Sequence, residues 1–252
     1  MKIVRFSLGK RTGYGILDNQ TIKVIQGNPF YKIQYSGATF TLNEVKLLAP
    51  CVPSKIVCLG VNYRSHAGEM NHTPPLSPLI FLKPTTAIIG PEDKIIYPAM
   101  SQRVDYEGEL GVVIKKNASH VSTQDALDYV LGYTCFNDVT ARDLQKLDGQ
   151  WTRGKGFDTF APFGPCIETE LDPTNTPLET YLNGELKQQS NITELIFPVS
   201  EIISFISQVM TLLPGDVIAT GTPGGIGPMN PGDIIEIKIA PIGVLRNYVV
   251  KL

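Results

Sequence analysis

Residues Asp105–Lys115 read D-Y-E-G-E-L-G-V-V-I-K, and the fold and the chemistry both turn on how this stretch is read. Leu110 to Ile114 form a short apolar, largely β-branched run, the composition of a buried strand. Glu107 and Glu109 stand two residues apart just before it. In an extended chain, side chains at i and i+2 point to the same face, so the two carboxylates lie side by side. Two like charges entering a core lose hydration and repel, at a cost of several kcal/mol unless a cation compensates. A divalent metal ion is the simplest compensation, and a solvated strand end is the alternative.

Upstream, Lys55–Leu59 is strand-like, and Gly60 releases it into V-N-Y-R-S-H-A-G-E-M. His66 and Glu69 are three apart and share a face on a helical turn. A carboxylate bonded to one imidazole nitrogen fixes the tautomer and raises the basicity of the other, which suits a general base. The following N-H-T-P-P-L-S-P cannot continue a helix. A short helix in a lid fits this pattern, as does a surface turn with an incidental His–Glu pair.

Downstream, Ser122 and Asp125 resemble a capping box that predicts a helix over Thr123–Leu131, closed by Gly132. Tyr133–Phe136 is a strand running into Asn137-Asp138. Asp138 could cap the helical segment V-T-A-R-D-L-Q-K-L-D, stabilising it by about 1 kcal/mol, or stand as a third carboxylate beside Glu107 and Glu109. Three hard oxygen ligands suit Mg²⁺ or Mn²⁺ and not zinc. Arg142 and Gln145, three apart, would face one direction as substrate-anchoring groups. In W-T-R-G-K-G-F, Lys155 lies between Gly154 and Gly156, which let backbone approach a ligand closely; a solvated loop lysine is the other reading. Asn183-Gly184 marks a hairpin. Val199–Leu213 carries the apolar stripe of a core-facing helix, with Ser200 as its cap. Two Pro-Gly-Asp turns, at 214–216 and 231–233, lead into strands. The G-T-P-G-G-I-G between them lacks both the G-K-[ST] of a P-loop and the G-x-G-x-x-G fingerprint. It reads as a loop presenting Thr222 and backbone N–H groups to a small anion.

Residues 1–52 read as a small N-terminal β domain, with strand-like runs at Ile3–Phe6, Tyr14–Leu17 and Thr21–Ile25 and turn signals at Gly13 and Asp18-Asn19. Residues 53–252 form the main domain. The whole is an α+β chain rich in strands. Its 42% hydrophobic and 18% charged residues are ordinary for a globular protein. The net charge of −2 offers no basic stripe for nucleic acid. The four cysteines form no C-x-x-C, so neither a zinc knot nor a disulfide framework is indicated. M-K-I-V-R-F-S lacks the apolar stretch of a signal peptide, and no window approaches the ~20 apolar residues of a membrane span. A cytoplasmic protein without membrane or nucleic-acid partners is expected.

Five motifs, in this order, carry a resemblance: G-V-N-Y-R-S-H-A-G-E, D-Y-E-G-E-L-G-V-V-I, G-Y-T-C-F-N-D-V-T-A-R-D-L-Q, G-K-G-F-D-T-F-A-P-F-G-P and P-G-D-V-I-A-T-G-T-P-G-G-I-G. Over residues 53–252 the chain resembles the fumarylacetoacetate hydrolase family, in the branch of acylpyruvate hydrolases and 2-hydroxyhepta-2,4-diene-1,7-dioate isomerases. The resemblance implies a β-rich roll of layered sheets with a few helices, and a homodimer. It implies that Glu107, Glu109 and Asp138 bind Mg²⁺ or Mn²⁺, with Ca²⁺ able to substitute in crystals. It also implies a catalytic His66–Glu69 dyad on a lid, with Lys155, Arg142, Gln145 and Thr222 around the substrate. Many relatives have Ser where this chain has Gly156, a departure expected to loosen the lysine loop.

The expected chemistry follows from the 2-oxo acids on which such enzymes act. Cleavage beyond C3 leaves charge delocalised as an enolate onto the C2 oxygen, where a metal and Lys155 would stabilise it. With His66 activating water, the outcome is hydrolysis of an acylpyruvate C–C bond, the first expectation. Without that water the same site permits decarboxylation of an oxaloacetate-like acid, and with a proton shuttle it permits isomerisation of an unsaturated 2-oxo diacid. A reading from another class is a non-catalytic dicarboxylate-binding protein, but such a binder needs no base, and His66, Glu69 and Lys155 are all present.

Overall fold

The computed structural model describes residues 1–65 and 75–251; His66 and Glu69 lie outside the described residues. The chain is α+β and dominated by strands, as its sequence predicts. At its centre Gly108–Ile114 is buried along its whole length, which explains the unbroken apolar run. A strand covered on both faces has no polar side to alternate with. Burying each of its large side chains contributes about 1.5–3 kcal/mol.

That strand is a middle member of a twelve-stranded sheet. On one side lies Val130–Asn137, paired in register from Gly108 opposite Asn137 to Val113 opposite Gly132, with a register shift before Ile114 opposite Val130. On the other lies Val217–Ala219, followed by Ile56–Gly60 and the edge strand Leu79–Lys83. Beyond Val130–Asn137 come Ala161–Glu168 and then Lys2–Leu8, so the first residues of the chain join the same sheet. A five-stranded sheet, ordered Glu185–Asn191, Pro177–Leu182, Ile234–Ile239, Gly243–Lys251, Lys94–Tyr97, packs against its centre. Here one face only is covered, and Ile235, Ile237 and Ile239 point inward between less buried neighbours. A small third sheet joins Thr140–Ala141, Val104–Tyr106 and Gly227–Met229.

Glu107 sits where the chain leaves the small sheet and enters the large one. Asn183 and Gly184 both adopt positive φ, 53° and 80°, in the tight hairpin between Leu182 and Glu185. No helix among the described residues is long and apolar enough to cross a membrane.

Local expectations fail in four places, each for a tertiary reason. Gly13 is not a turn but lies inside the strand Arg11–Asp18, where a Cβ would come within 3.2 Å of the Phe6 ring. The helix expected over Thr123–Leu131 shrinks to a 3₁₀ turn at Ala126–Tyr129, because Val130 is drawn into the sheet opposite Ile114. The helix expected over Val199–Leu213 ends at Val209, and Leu212 instead pairs with Ala118. Its N-cap is Pro198, and Ser200 lies within the first turn.

Candidate active site

The site is assembled where the ends of two neighbouring strands of the large sheet meet the loop after a third. Glu109 lies on the central strand opposite Phe136, and Asp138 follows the end of the neighbouring strand, Val130–Asn137. The Asp138 N–H donates to the carbonyl of Glu107 at 2.9 Å, which locks the two acidic segments together. Asp138 is not a helix cap: the N-cap of Arg142–Asp148 is Ala141. Glu107, Glu109 and Asp138 each bring a carboxylate oxygen to within 4.8 Å of the others, and all three are buried.

This cluster is heavily charged. Asp105, Glu107, Glu109 and Asp138 are four buried carboxylates, faced by the buried cations Lys83, Arg142 and Lys155. Lys155 Nζ donates to Asp138 Oδ2 at 2.6 Å and to Glu107 Oε2 at 2.8 Å. Lys83 bonds the other oxygen of Asp138 and the carbonyl of Val139. Arg142 divides its guanidinium between Asp105 (2.9 Å), Glu107 and the side-chain oxygen of Gln145 (2.7 Å).

Burial alone would push the Lys155 ammonium toward its neutral form. The carboxylates of Asp138 and Glu107 outweigh this and raise its pKa, so it stays a cation. Arg142 behaves the same way, with Glu107 and Asp105 outweighing burial. Glu109 is the opposite case. Burial first, then Asp138 and Glu107, push its carboxyl well above the usual range, against a smaller pull from Lys155 and the Gly221 N–H.

The residues present fit a divalent cation. Glu109 Oε1 is buried and has no hydrogen-bond partner among the described residues, while Oε2 accepts from the Gly221 N–H at 2.8 Å. An orphaned carboxylate oxygen among three converging carboxylates is a costly arrangement that a hard cation satisfies. The donor set is all oxygen, which favours Mg²⁺ or Mn²⁺ over zinc.

A cavity of about 330 Å³ opens onto the cluster. Glu107, Arg142, Gln145, Lys155 and Thr222 all line it, so the structure brings together the anchoring groups that the sequence suggested. Their roles differ in detail from a simple reading. The guanidinium of Arg142 is engaged by protein carboxylates, which leaves the Gln145 amide N–H₂ as the donor next to it. Thr222 Oγ1 donates to the Gly108 carbonyl at 2.9 Å. Lys155 is not on a solvated loop. It ends the short helix Thr152–Lys155, is 2% exposed, and stands 5.0 Å from the Phe81 ring centroid. At Gly156 a Cβ would meet the Thr152 carbonyl at 2.5 Å, so a side chain there would require the backbone to shift.

Three contributors were not read from the sequence. Lys83 ends the apolar strand L-I-F-L-K, and a charge closing such a run just before Pro84 was the available signal. Asp105 shares the i, i+2 alternation of Glu107 and Glu109 and could have been found by extending it one step. Gln188 lies in a polar hairpin and gave no signal.

A family model described as fumarylacetoacetate (FAA) hydrolase C-terminal matches residues 55–250, and one described as Rv2993c-like, N-terminal, matches residues 1–50. Among relatives, the mitochondrial oxaloacetate tautomerase Fahd2a of Rattus norvegicus is 41% identical over 220 residues, which span 82% of this chain and 70% of that protein. The crystal structure of 5-carboxymethyl-2-hydroxymuconate delta-isomerase from Mycobacterium smegmatis superposes with a TM-score of 0.94 at 42% identity, covering both chains fully. Maleylpyruvate hydrolase from Sphingobium sp. SYK-6 superposes with a TM-score of 0.84 at 32% identity, again covering both chains.

Proposed function

The chain belongs to the fumarylacetoacetate hydrolase family, and from that premise we propose that it is a divalent-metal-dependent enzyme that enolises a 2-oxo acid, with interconversion of keto and enol forms of a 2-oxo diacid as its reaction. The observation that carries this reading is the pairing of a Glu109 oxygen without a partner among the described residues with a fixed Lys155 cation in one buried site. When bound by Glu107, Glu109 and Asp138, Mg²⁺ or Mn²⁺ would supply a Lewis acid for the carboxylate and C2 oxygen of the substrate.

Lys155 serves as electrophile and not as base, because Asp138 and Glu107 keep it protonated. Its ammonium meets the negative charge that develops on the C2 oxygen as a proton leaves C3, an effect worth about 3–4 kcal/mol when such a donor is preorganised. The Gln145 amide, held by Arg142, orients the substrate. Among the described residues lining the cavity, Arg142, Lys146 and Lys155 are cations and Glu107 is already bonded to two of them. The proton acceptor is therefore assigned to His66, steadied by Glu69, from the segment that follows Ser65. Enolisation at C3 is the step shared by tautomerisation and isomerisation, and relatives carrying both descriptions are more than 40% identical to this chain.

A second reading, hydrolysis of an acylpyruvate C–C bond, is favoured by the 32% identical maleylpyruvate hydrolase. It uses the same enolate and adds a water activated by His66.

One assay separates the readings. Oxaloacetate, an unsaturated 2-oxo diacid and an acylpyruvate are each offered with Mg²⁺ and with EDTA, following loss of the enol absorbance and release of a carboxylic acid. Metal-dependent ketonisation of a diacid at a rate above acylpyruvate cleavage supports the proposal. Faster acylpyruvate cleavage supports hydrolysis, and no metal-dependent turnover of any of the three sinks both.

A further inference from the structure

Gly108 separates the two glutamates, and its backbone is held from behind by a side chain of the second sheet. Gln188, on the strand Glu185–Asn191, is 1% exposed and makes three hydrogen bonds. Its Oε1 accepts from the Gly108 N–H at 3.0 Å. Its Nε2 donates to Thr222 Oγ1 at 2.8 Å and to the Pro223 carbonyl at 2.9 Å. The Thr222 hydroxyl donates to the Gly108 carbonyl at 2.9 Å, which closes a ring around the Gly108 peptide groups.

The direction of every bond in this ring is fixed. Gly108 N–H can only donate and the Pro223 carbonyl can only accept, so the amide of Gln188 has one permitted orientation. Thr222 then receives from Nε2, and its single proton must go to the Gly108 carbonyl. Thr222 therefore has no hydroxyl proton left for a substrate. The space admits no substitute either, since a Cβ at Gly108 would lie 2.1 Å from Thr180 Oγ1 and 3.2 Å from Gln188 Oε1. The same loop holds Glu109 through the Gly221 N–H, and Tyr106, next to Glu107, reaches it by donating to the Gly225 carbonyl at 3.0 Å.

We propose that Gln188 is the positioning residue of the site: by clamping Gly108 to the Thr222 loop, it sets the relative placement of Glu107 and Glu109 and so the affinity for the divalent ion. This rests on the metal-binding reading above. Gln188 touches neither ion nor substrate and acts only through Gly108 and Thr222. Residues that orient metal ligands at one remove typically alter affinity by about 10–100-fold when replaced.

The test titrates Mn²⁺ into the full chain and follows free ion by its electron paramagnetic resonance signal, so that turnover is not needed. Gln188→Leu keeps the bulk and removes all three hydrogen bonds. Gln188→Glu keeps the shape and the acceptor for Gly108 but loses the donor to Thr222 and Pro223, and it serves if the leucine variant does not fold. Asn247→Leu is the control, because Asn247 is another buried amide, bonded to the carbonyls of Gly90 and Asp93, with no part in the site.

The expected result is Mn²⁺ binding weakened by about tenfold or more in the Gln188 variants and unchanged in Asn247→Leu, at comparable losses of thermal stability. Wild-type affinity in a folded Gln188 variant overturns this inference while leaving the metal site intact. Equal weakening in Asn247→Leu also overturns it, because the effect is then general destabilisation. Absence of Mn²⁺ binding by the wild-type chain overturns the metal reading itself.

Discussion

Lys155 Nζ lies 2.6 Å from Asp138 Oδ2, so the carboxylate expected to hold a metal ion is also the partner of the cation expected to meet the enolate. Asp138 thus links the two electrostatic elements of the site. Lys155→Ala should cut kcat by roughly 10²–10³, the loss seen when one preorganised donor to a developing oxyanion is removed. Without metal, the variant takes one of two cations from each of Glu107 and Asp138, which keep Arg142 and Lys83, and should lose up to about 3 kcal/mol of stability. Added Mg²⁺ should restore much of that loss, because the ion meets less competing positive charge. Thermal melts with EDTA and with Mg²⁺, run beside steady-state kinetics, check this. A variant that no longer responds to Mg²⁺ would show that Lys155 builds the metal site instead of acting beside it.

Glu109→Gln should separate stability from function. The Glu109 carboxyl is buried beside Asp138 and Glu107, with one oxygen lacking a partner among the described residues. The amide cannot ionise and keeps nearly the same shape, so melting in EDTA at neutral pH should rise by several degrees, on the order of 1–3 kcal/mol. The Mg²⁺-induced rise in melting temperature should disappear with it. Unchanged Mg²⁺ stabilisation in this variant contradicts the assignment of Glu109 as a ligand.

The same group predicts a pH dependence. Its folded pKa is raised well above its usual value of 4.5, so between the two the folded state binds the extra proton. Stability falls with pH wherever the folded state holds more protons. The Glu109 penalty is thus absent below about pH 4.5 and grows as pH rises through the elevated folded value. Mg²⁺ displaces that proton, so its stabilising effect should increase over the same range. Denaturant titrations across pH, with and without Mg²⁺, measure the difference. A metal effect that shrinks with rising pH runs against the prediction.

The sequence exposed the strand, its paired glutamates and the order of motifs because these are local patterns with a period of two. It could not choose between cap and ligand for Asp138, since both readings satisfy the same strand-to-helix boundary. The structure removes the cap, since the helix starts after Ala141, and the Asp138 N–H bonded to Glu107 brings its carboxylate into the acidic cluster. For Lys155 the flanking glycines left two readings open, an amine reaching a ligand and a solvated loop lysine. The structure uses Gly154 for close packing, where a Cβ would come within 2.9 Å of the Gln145 backbone. Gln188 was illegible for a related reason: a glutamine in a polar hairpin acquires its role only when the second sheet folds onto the first.

His66→Ala tests the base. Enolisation needs a proton acceptor, and Lys155 and Arg142 are held as cations by their carboxylate partners. The variant should lose roughly 10²–10⁴-fold in kcat, the usual contribution of a general base. Oxalate binding, measured by calorimetry with Mg²⁺ present, should stay within twofold of wild type. Retained turnover would move the role to another group and leave the lid reading without support.

Substrate choice should be readable at Lys146. It lines the cavity at its exposed side and, among the described residues, pairs with no carboxylate, whereas Arg142 and Lys155 are both committed. The cavity lining also has an apolar part that includes Phe81 and Trp151, whose ring centroids are 5.2 Å apart. A substrate bound by its 2-oxo acid end at Lys155 therefore meets, among the described residues, the uncommitted positive charge of Lys146 along the cavity. That favours a second carboxylate over an alkyl tail. Exposed ion pairs contribute only about 0.2–1 kcal/mol, so Lys146→Ala should raise KM for a diacid by roughly two- to fivefold. It should leave KM for a mono-acid such as acetylpyruvate unchanged, with kcat constant for both. Lys146→Glu should widen the gap by replacing attraction with repulsion, and raising the salt concentration should narrow it by screening. Equal effects on the two substrates would mean that Lys146 shapes the entrance without reading charge.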